Sequence, residues 1–189
     1  MNTPESTARR NRNRVALILI LVIFVGSALV AGALRFSGWR PQGTSNHGQL
    51  LQPPGDLRGL TVRLQDGGEY PWDPDARIWR IAVAPPAACG APCTELATEL
   101  DLVWRLFGRN ADRVHTLWIG GAPEGAGDNR SRHIVRADPA LRAALPGVDD
   151  PTGIPVYVID PNGFVILRYA PGFDPGDLRS DMVRLLRLD

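Results

Sequence analysis

An α/β domain behind a single apolar span is the fold class this sequence predicts. Three observations predict it. Val15 to Leu34 is a 20-residue run without a charge. From Leu57 onward, short apolar runs alternate with amphipathic ones. The only two cysteines, Cys89 and Cys93 in "CGAPC", fall where an apolar run passes into an amphipathic one.

The span comes first. At 1.5 Å rise per residue, 20 residues cover about 30 Å, the thickness of a bilayer's hydrocarbon core. The flank "RRNRNR" precedes it. Arginine-rich flanks stay in the cytoplasm, so residues 1–14 are expected to be cytoplasmic. The bulk of the chain is expected across a bacterial inner membrane, in the periplasm. The competing reading is a cleaved signal peptide, for which "AGA" at 31–33 supplies the small-x-small form. The apolar run exceeds the usual signal length, which favours an anchor. Either reading puts residues 35–189 where disulfides form.

Charge excludes one class. All 21 basic residues are Arg, and four of them precede the span. The remainder carries about −2, so no basic face exists to grip a nucleic-acid backbone. "GGAPEGAGDN" lacks the glycine spacing and following lysine of a phosphate loop.

Residues 35–56 are rich in Gly, Pro and polar residues and read as a periplasmic linker, with Trp39 and Arg40 as interfacial anchors. The folded domain is expected over 57–189. "LTVRL" (60–64) alternates and predicts a strand closed by the turn "QDGGE". "RIWRIAVAP" (77–85) predicts a buried strand. In 93–108, Leu96, Leu100, Val103, Trp104 and Phe107 recur at helical spacing and Gly108 is a stop. "RVHTLWIGG" (113–121) predicts a second buried strand, and residues 122–132 a polar loop. "DPALRAAL" (138–145) opens with Asp then Pro, a helix start. "IPVYVID" and "GFVILRYA" predict a hairpin, and 174–188 a closing helix.

The order is β–β–α–β–α–β–β–α. A buried strand, a helix and another buried strand make a right-handed parallel crossover. A hairpin and a final helix complete a thioredoxin-like mixed sheet flanked by helices. Roughly 130 residues bury a real core.

The cysteines sit in the turn from a strand into a helix. Unpaired N–H groups and partial positive charge there stabilise a thiolate. Positions i and i+4 around a helix start lie roughly 6 Å apart, within disulfide range. The same spacing turns both sulfurs towards one soft metal ion such as Cu(I). Pro92 favours starting the helix at Cys93. A third reading is an inert staple. Against it, a bridge closing five residues constrains the unfolded chain little. Ile154-Pro155 opens the hairpin, where an ordinary edge proline is the alternative to a site residue.

With "CGAPC", "GIPVYVIDP" and the N-terminal anchor in view, the chain resembles the Sco-type copper chaperones of cytochrome c oxidase assembly, which are thioredoxin-like. The resemblance covers residues 57–189 and rests on Cys89 and Cys93 after a hydrophobic strand and on "YVIDPNGFV" (157–165). The stretch "GWRPQGTSNHGQLLQPP" (38–54) is similar to the membrane-proximal part of small proteins associated with cytochrome oxidase gene clusters. The resemblance implies thiol–disulfide exchange or copper delivery, with Cys89 and Cys93 as the reactive pair. It also implies a cis Pro155 facing the pair and a partner among oxidase subunits or periplasmic thiol or copper proteins. It further implies a histidine ligand just before the hairpin. The region "GVDDPTGIPVYV" holds none; Asp149 and Asp150 stand there, and carboxylates suit Cu(I) poorly. Thr94 follows the second cysteine where the family has proline.

Three histidines remain. His133 follows the polar loop and is the candidate third copper ligand; a solvated loop histidine is its alternative. His115 in its buried strand reads as a core histidine and His47 as a surface residue of the linker. Glu95 and Glu99 read as the solvated face of the helix after the cysteines, with a proton-shuttling role as the alternative. Trp79 and Trp104 are expected to pack near the pair. A non-catalytic assembly module with a permanent Cys89–Cys93 disulfide is the rival to the redox or copper reading.

Overall fold

The computed structural model describes residues 4–36, 46–121, 123 and 129–188. It divides at residue 43 into an N-terminal unit and a C-terminal domain.

The N-terminal unit is one helix, α1 (Pro4–Phe36). Its stretch Arg12–Leu34 contains an 18-residue window with a mean hydropathy of 2.9 and is long and apolar enough to cross a membrane. Trp39 and Arg40 lie outside the described residues.

The domain is built on a six-stranded mixed sheet. Its strands are β1 (Gln49–Asp56), β4 (Trp79–Val83), β5 (Val114–Ile119), β6 (Arg132–Val135), β7 (Val156–Ile159) and β8 (Phe164–Tyr169). They lie in the order β1-β8-β7-β4-β5-β6. β4, β5 and β6 are parallel, while β1, β8, β7 and β4 pair antiparallel. A separate ribbon joins β2 (Val62–Arg63) to β3 (Glu69–Tyr70). The helices are α2 (Ala91–Arg105), α3 (Pro139–Ala143) and α4 (Pro175–Leu188), and a 3₁₀ turn (Gly108–Arg113) follows α2.

Strand periodicity sorts the core into two halves. Ile81, Val83, Trp118, Val156 and Val158 face α2 and α4, where they meet Leu96, Leu100, Leu178 and Met182. Ala82, Leu117, Tyr157 and Ile159 face the other way, against Leu57, Val62, Tyr70, Leu141 and Leu145. All five residues of β4 are buried, as its apolar run predicts for a central parallel strand. Gly108 stops the helical pattern at φ +58°, where a side chain would be strained. Asp138 caps α3 by accepting from the Ala140 and Leu141 amides.

Two strands of the sheet were not expected, and both are edges. The linker expected over 35–56 gives way to β1, which pairs with β8 and buries Leu51. An edge strand tolerates Pro53 and Pro54 because half its amides need no partner; Gln52–Pro53 is cis. β6 begins at the last residue of the expected polar loop, Arg132, and runs on to Val135; residues 122 and 124–128 of that loop lie outside the described residues. Helix α2 begins at Ala91, two residues before the expected Cys93, with Gly90 as its cap and Pro92 in its first turn. Proline lacks only an amide that this turn leaves unpaired in any case.

His47, expected as a surface residue of a linker, is fastened to α4. Its amide and that of Gly48 donate to Asp181 Oδ2 at 2.7 and 3.0 Å, and its ring lies 3.1 Å from Oδ1. The Tyr169 hydroxyl donates to the same carboxylate at 2.7 Å. Burial raises the Asp181 carboxyl, but hydrogen bonds from Gly48, Tyr169 and His47 outweigh it and hold the group below the usual carboxylate range. A Cβ on Gly48 would stand 2.7 Å from the Tyr169 ring, so the chain passes here only as glycine.

Candidate functional site: a disulfide at a helix tip

β4 runs buried to Val83 and then opens through Pro85 and Pro86 into the turn that carries the cysteines. Cys89 and Cys93 are joined as a disulfide with Cα atoms 5.6 Å apart. Cys93 is the third residue of α2 and only 2% exposed. Cys89 precedes the cap and is half-buried. No acidic residue occupies the first turn of α2, and Gly90 supplies no side-chain cap. The partial positive charge of the helix start therefore faces the sulfurs uncompensated, an arrangement that stabilises a thiolate on reduction.

A cavity of about 490 Å³ opens beside the pair. Pro85, Pro86, Trp118, Ile119 and Pro139 line it together with both cysteines. Arg142 lines it too, but its guanidinium is committed. Nη1 donates to the Ala84 and Pro85 carbonyls at 2.7 and 3.2 Å, and Nη2 to Asp149 at 2.6 Å. These bonds tie the turn leading to the cysteines onto α3. The second charged lining residue, Asp138, is spent on the cap of that helix.

The expected site residues divide into those the fold gathers and those it separates. Pro155 is buried beside Val156, which pairs with Val83 of β4, so it lies at the same end of the sheet as the cysteines. Its peptide bond is trans, because Gln52–Pro53 is the one cis bond among the described residues. The cis geometry implied by the family resemblance is absent, and Pro155 does not line the cavity at the disulfide. Ile154 instead shares a second cavity, of about 370 Å³, with Pro92, Glu95, Glu99 and Phe173 on the other flank of α2.

His133 does not join the cysteines. It lies on β6, one residue before Ile134, which packs in the half of the core that contains Cys93. Successive strand residues point to opposite faces, so His133 is on the far face. There its ring lies tilted against His115 and edge-on to Tyr70, with centroids 4.4 and 5.2 Å away. Asp149 and Asp150 are paired with Arg142 and Arg168, each at 2.6 Å. Among the described residues, no group of three or more His, Cys, Asp and Glu side chains is placed to hold a metal ion. On reduction the donor set among the described residues is the two thiolates.

Trp79 and Trp104 belong to the other end of the sheet. Trp79 pairs in register with Val114, and the Trp104 indole donates to the Ala111 and Val114 carbonyls. Trp118 lines the site instead, and it, Arg142 and the Pro85–Pro86 pair were missed in the sequence. The prolines immediately before the cysteines were a readable signal. Nothing in "DPALRAAL" marks Arg142 as the residue that reaches back to β4.

A central parallel strand, a turn with two cysteines, a helix and an antiparallel hairpin define a thioredoxin-like protein. Residues 79–189, more than half of the chain, match the family described as "Transmembrane-like, thioredoxin-like, C-terminal domain", and the chain belongs to that family. No curated protein matches it in sequence.

Solved structures share the fold. Yeast Sco1 with copper bound is 14% identical, with 77% of this chain and 95% of that one covered at a TM-score of 0.53. BsSco, a member of the Sco family of cytochrome c oxidase assembly proteins in which a disulfide switch was identified, is 12% identical, with 79% and 100% covered and a TM-score of 0.53. A SCO1/SenC family lipoprotein from Bacillus anthracis str. Ames is 17% identical, with 71% and 98% covered and a TM-score of 0.51. The thioredoxin-like mixed sheet read from the sequence is therefore found, and the Sco resemblance holds at the level of fold.

Proposed function

We propose that this chain is a single-pass membrane protein of the bacterial inner membrane whose periplasmic thioredoxin-like domain exchanges thiols and disulfides during cytochrome c oxidase maturation. The domain would begin where the chain docks on Asp181, just before β1, and residues 1–14 would stay in the cytoplasm. One observation carries the reading. The disulfide is asymmetric, with Cys89 half-exposed at a cavity mouth and Cys93 buried under the first turn of α2.

The asymmetry supports one order of events. In the reduced domain the Cys89 thiolate attacks one sulfur of a partner disulfide and expels the other as a thiolate. Cys93 then attacks Cys89 Sγ, releases the second partner thiolate and closes the disulfide. Two electrons pass from the domain to the partner. A dithiol donor restores the reduced pair by the reverse sequence. Pro155, buried under the same end of the sheet, is proposed to shape the surface on which the partner docks.

A second reading takes Cu(I) as cargo. Two thiolates at this spacing suit a soft cation, and structures of relatives in fold contain copper. The donor set supports a two-thiolate site without His133. Titrating the reduced full-length chain with Cu(I) tests this. Binding lost in Cys89→Ala and retained in His133→Ala supports it, and binding lost in both restores a role for His133.

The reduction potential decides between exchange and an inert staple. A value above about −300 mV supports exchange; a lower one makes the disulfide a permanent part of a non-catalytic assembly module.

A further inference from the structure

On the face of the sheet away from the cysteines, Arg80, Tyr70, His115 and His133 form a polar cluster that the proposed function does not use. Arg80 is 1% exposed and donates through Nε to the Tyr70 hydroxyl oxygen at 3.0 Å and through Nη1 to the Asp160 and Pro161 carbonyls. Arginine cannot accept, so the Tyr70 hydroxyl proton goes to its other partner, His115 Nδ1 at 2.8 Å. His115 is thereby fixed as the neutral tautomer with its proton on Nε2. The His133 ring lies tilted against His115 with centroids 4.4 Å apart, and its buried Nε2 has no hydrogen-bond partner among the described residues.

This cluster lies beneath the β2–β3 ribbon. Two residues per strand do not make a ribbon stable by itself. It is held by Tyr70 and by backbone bonds to the edge of β6. Gln65 N donates to Ile134 O at 2.9 Å, Arg136 N donates to Arg63 O at 2.8 Å, and Leu64 bridges to Val135. The ribbon therefore caps the open edge of the six-stranded sheet.

We propose that residues 62–70 form an acid-released strap, held closed by the uncharged His115–His133 pair and uncovering the β6 edge when that pair takes up protons. A proton on His133 Nε2 would find no acceptor among the described residues, and one on His115 Nδ1 would displace the Tyr70 hydroxyl proton. A charge on His115 would also be repelled by the buried Arg80 guanidinium. The groups facing the pair are Tyr70 from β3, Arg80 from β4 and Asp66 from the β2–β3 turn, whose Oδ1 is engaged by the Gly68 amide. The neighbouring Arg132 is paired with Asp101. Burial lowers His115 to about 4, with repulsion from His133 and Arg80 adding to it, and burial also lowers His133 against a smaller pull from Asp66. The released strap would leave both near the ordinary value of about 6.5, so release gains as pH falls from about 6.5 towards 4.

Hydrogen–deuterium exchange of the full-length protein in detergent, corrected for intrinsic rates, tests this between pH 7.5 and 5. Protection of 62–70 and 132–136 should fall on the order of tenfold while 156–169 stays protected. The double variant His115→Phe, His133→Phe should abolish that difference. Imidazole NMR of the wild type, which needs no variant, should show both rings neutral at pH 6.5 and titrating together with the opening. Unchanged strap protection at pH 5, loss of all segments in step, equal loss in the double variant, or a charged His115 or His133 ring at pH 6.5 overturns the proposal.

Discussion

Cys89 and Cys93 are bonded across the cap of α2, one sulfur residue half-buried at a cavity and the other 2% exposed inside the helix's first turn. Burial distinguishes two thiols that are four residues apart. In the proposed exchange the outer one would meet the partner and the inner one would close the bridge.

That division predicts opposite phenotypes. Cys93→Ser should trap a mixed disulfide through Cys89, visible as a higher-mass band on a non-reducing gel and lost with dithiothreitol. Cys89→Ser should trap none. In the reduced protein, iodoacetamide should alkylate Cys89 about tenfold or more faster than Cys93. Equal rates would remove the assignment.

Arg142→Ala should loosen the turn before the cysteines. It leaves the Ala84 and Pro85 carbonyls without their charged donor and frees Asp149. Loss of a charge-assisted bond to partly buried carbonyls costs about 1.5–3 kcal/mol. Chemical denaturation should show that loss, and the reduction potential should shift relative to wild type. A wild-type potential with the stability loss would make Arg142 a purely structural residue.

Asp181 predicts an acid limb distinct from that of the histidines. Its folded carboxyl lies below the unfolded value, so its stabilising contribution is present above about pH 4 and is lost as pH falls through the folded value. Asp181→Ala should cost about 2–4 kcal/mol, because the amides of His47 and Gly48 and the Tyr169 hydroxyl lose one shared acceptor. The variant should also lose less stability than wild type as pH falls below about 4. Gly48→Ala should cost about 1–3 kcal/mol by driving a methyl into the Tyr169 ring.

The arginines before the span predict orientation. Alkaline phosphatase fused after Asp189 should be active, since it folds only where disulfides form. Replacing Arg9, Arg10, Arg12 and Arg14 with Glu should reduce that activity severalfold. An inactive wild-type fusion would place the domain in the cytoplasm and end the redox reading.

Much of the site was legible because its signals are local. An apolar run ending in Pro85-Pro86, then Cys89, Gly90, Pro92 and Cys93, then leucines at helical spacing, specifies a strand, a turn and a helix in order. The chain's own periodicity also supplied the apolar helix, the hairpin and α4. The edges of the sheet were not legible. β1 carries Gly55, Pro53 and Pro54, and β6 has four residues beside a polar loop, so neither announces a strand. Pairing with β8 and β5 decides them.

The sequence by itself determined which residues are apolar, at what period, and where two thiols meet a helix start. Only the tertiary structure decided that His133 faces away from those thiols, that Pro155 is trans, and that His47 belongs to the domain through Asp181. The placements of His133 and His47 depend on which face of a strand a side chain occupies or on a partner more than 15 residues away. Periodicity records the pattern along one element, whereas a site is assembled by the packing of several.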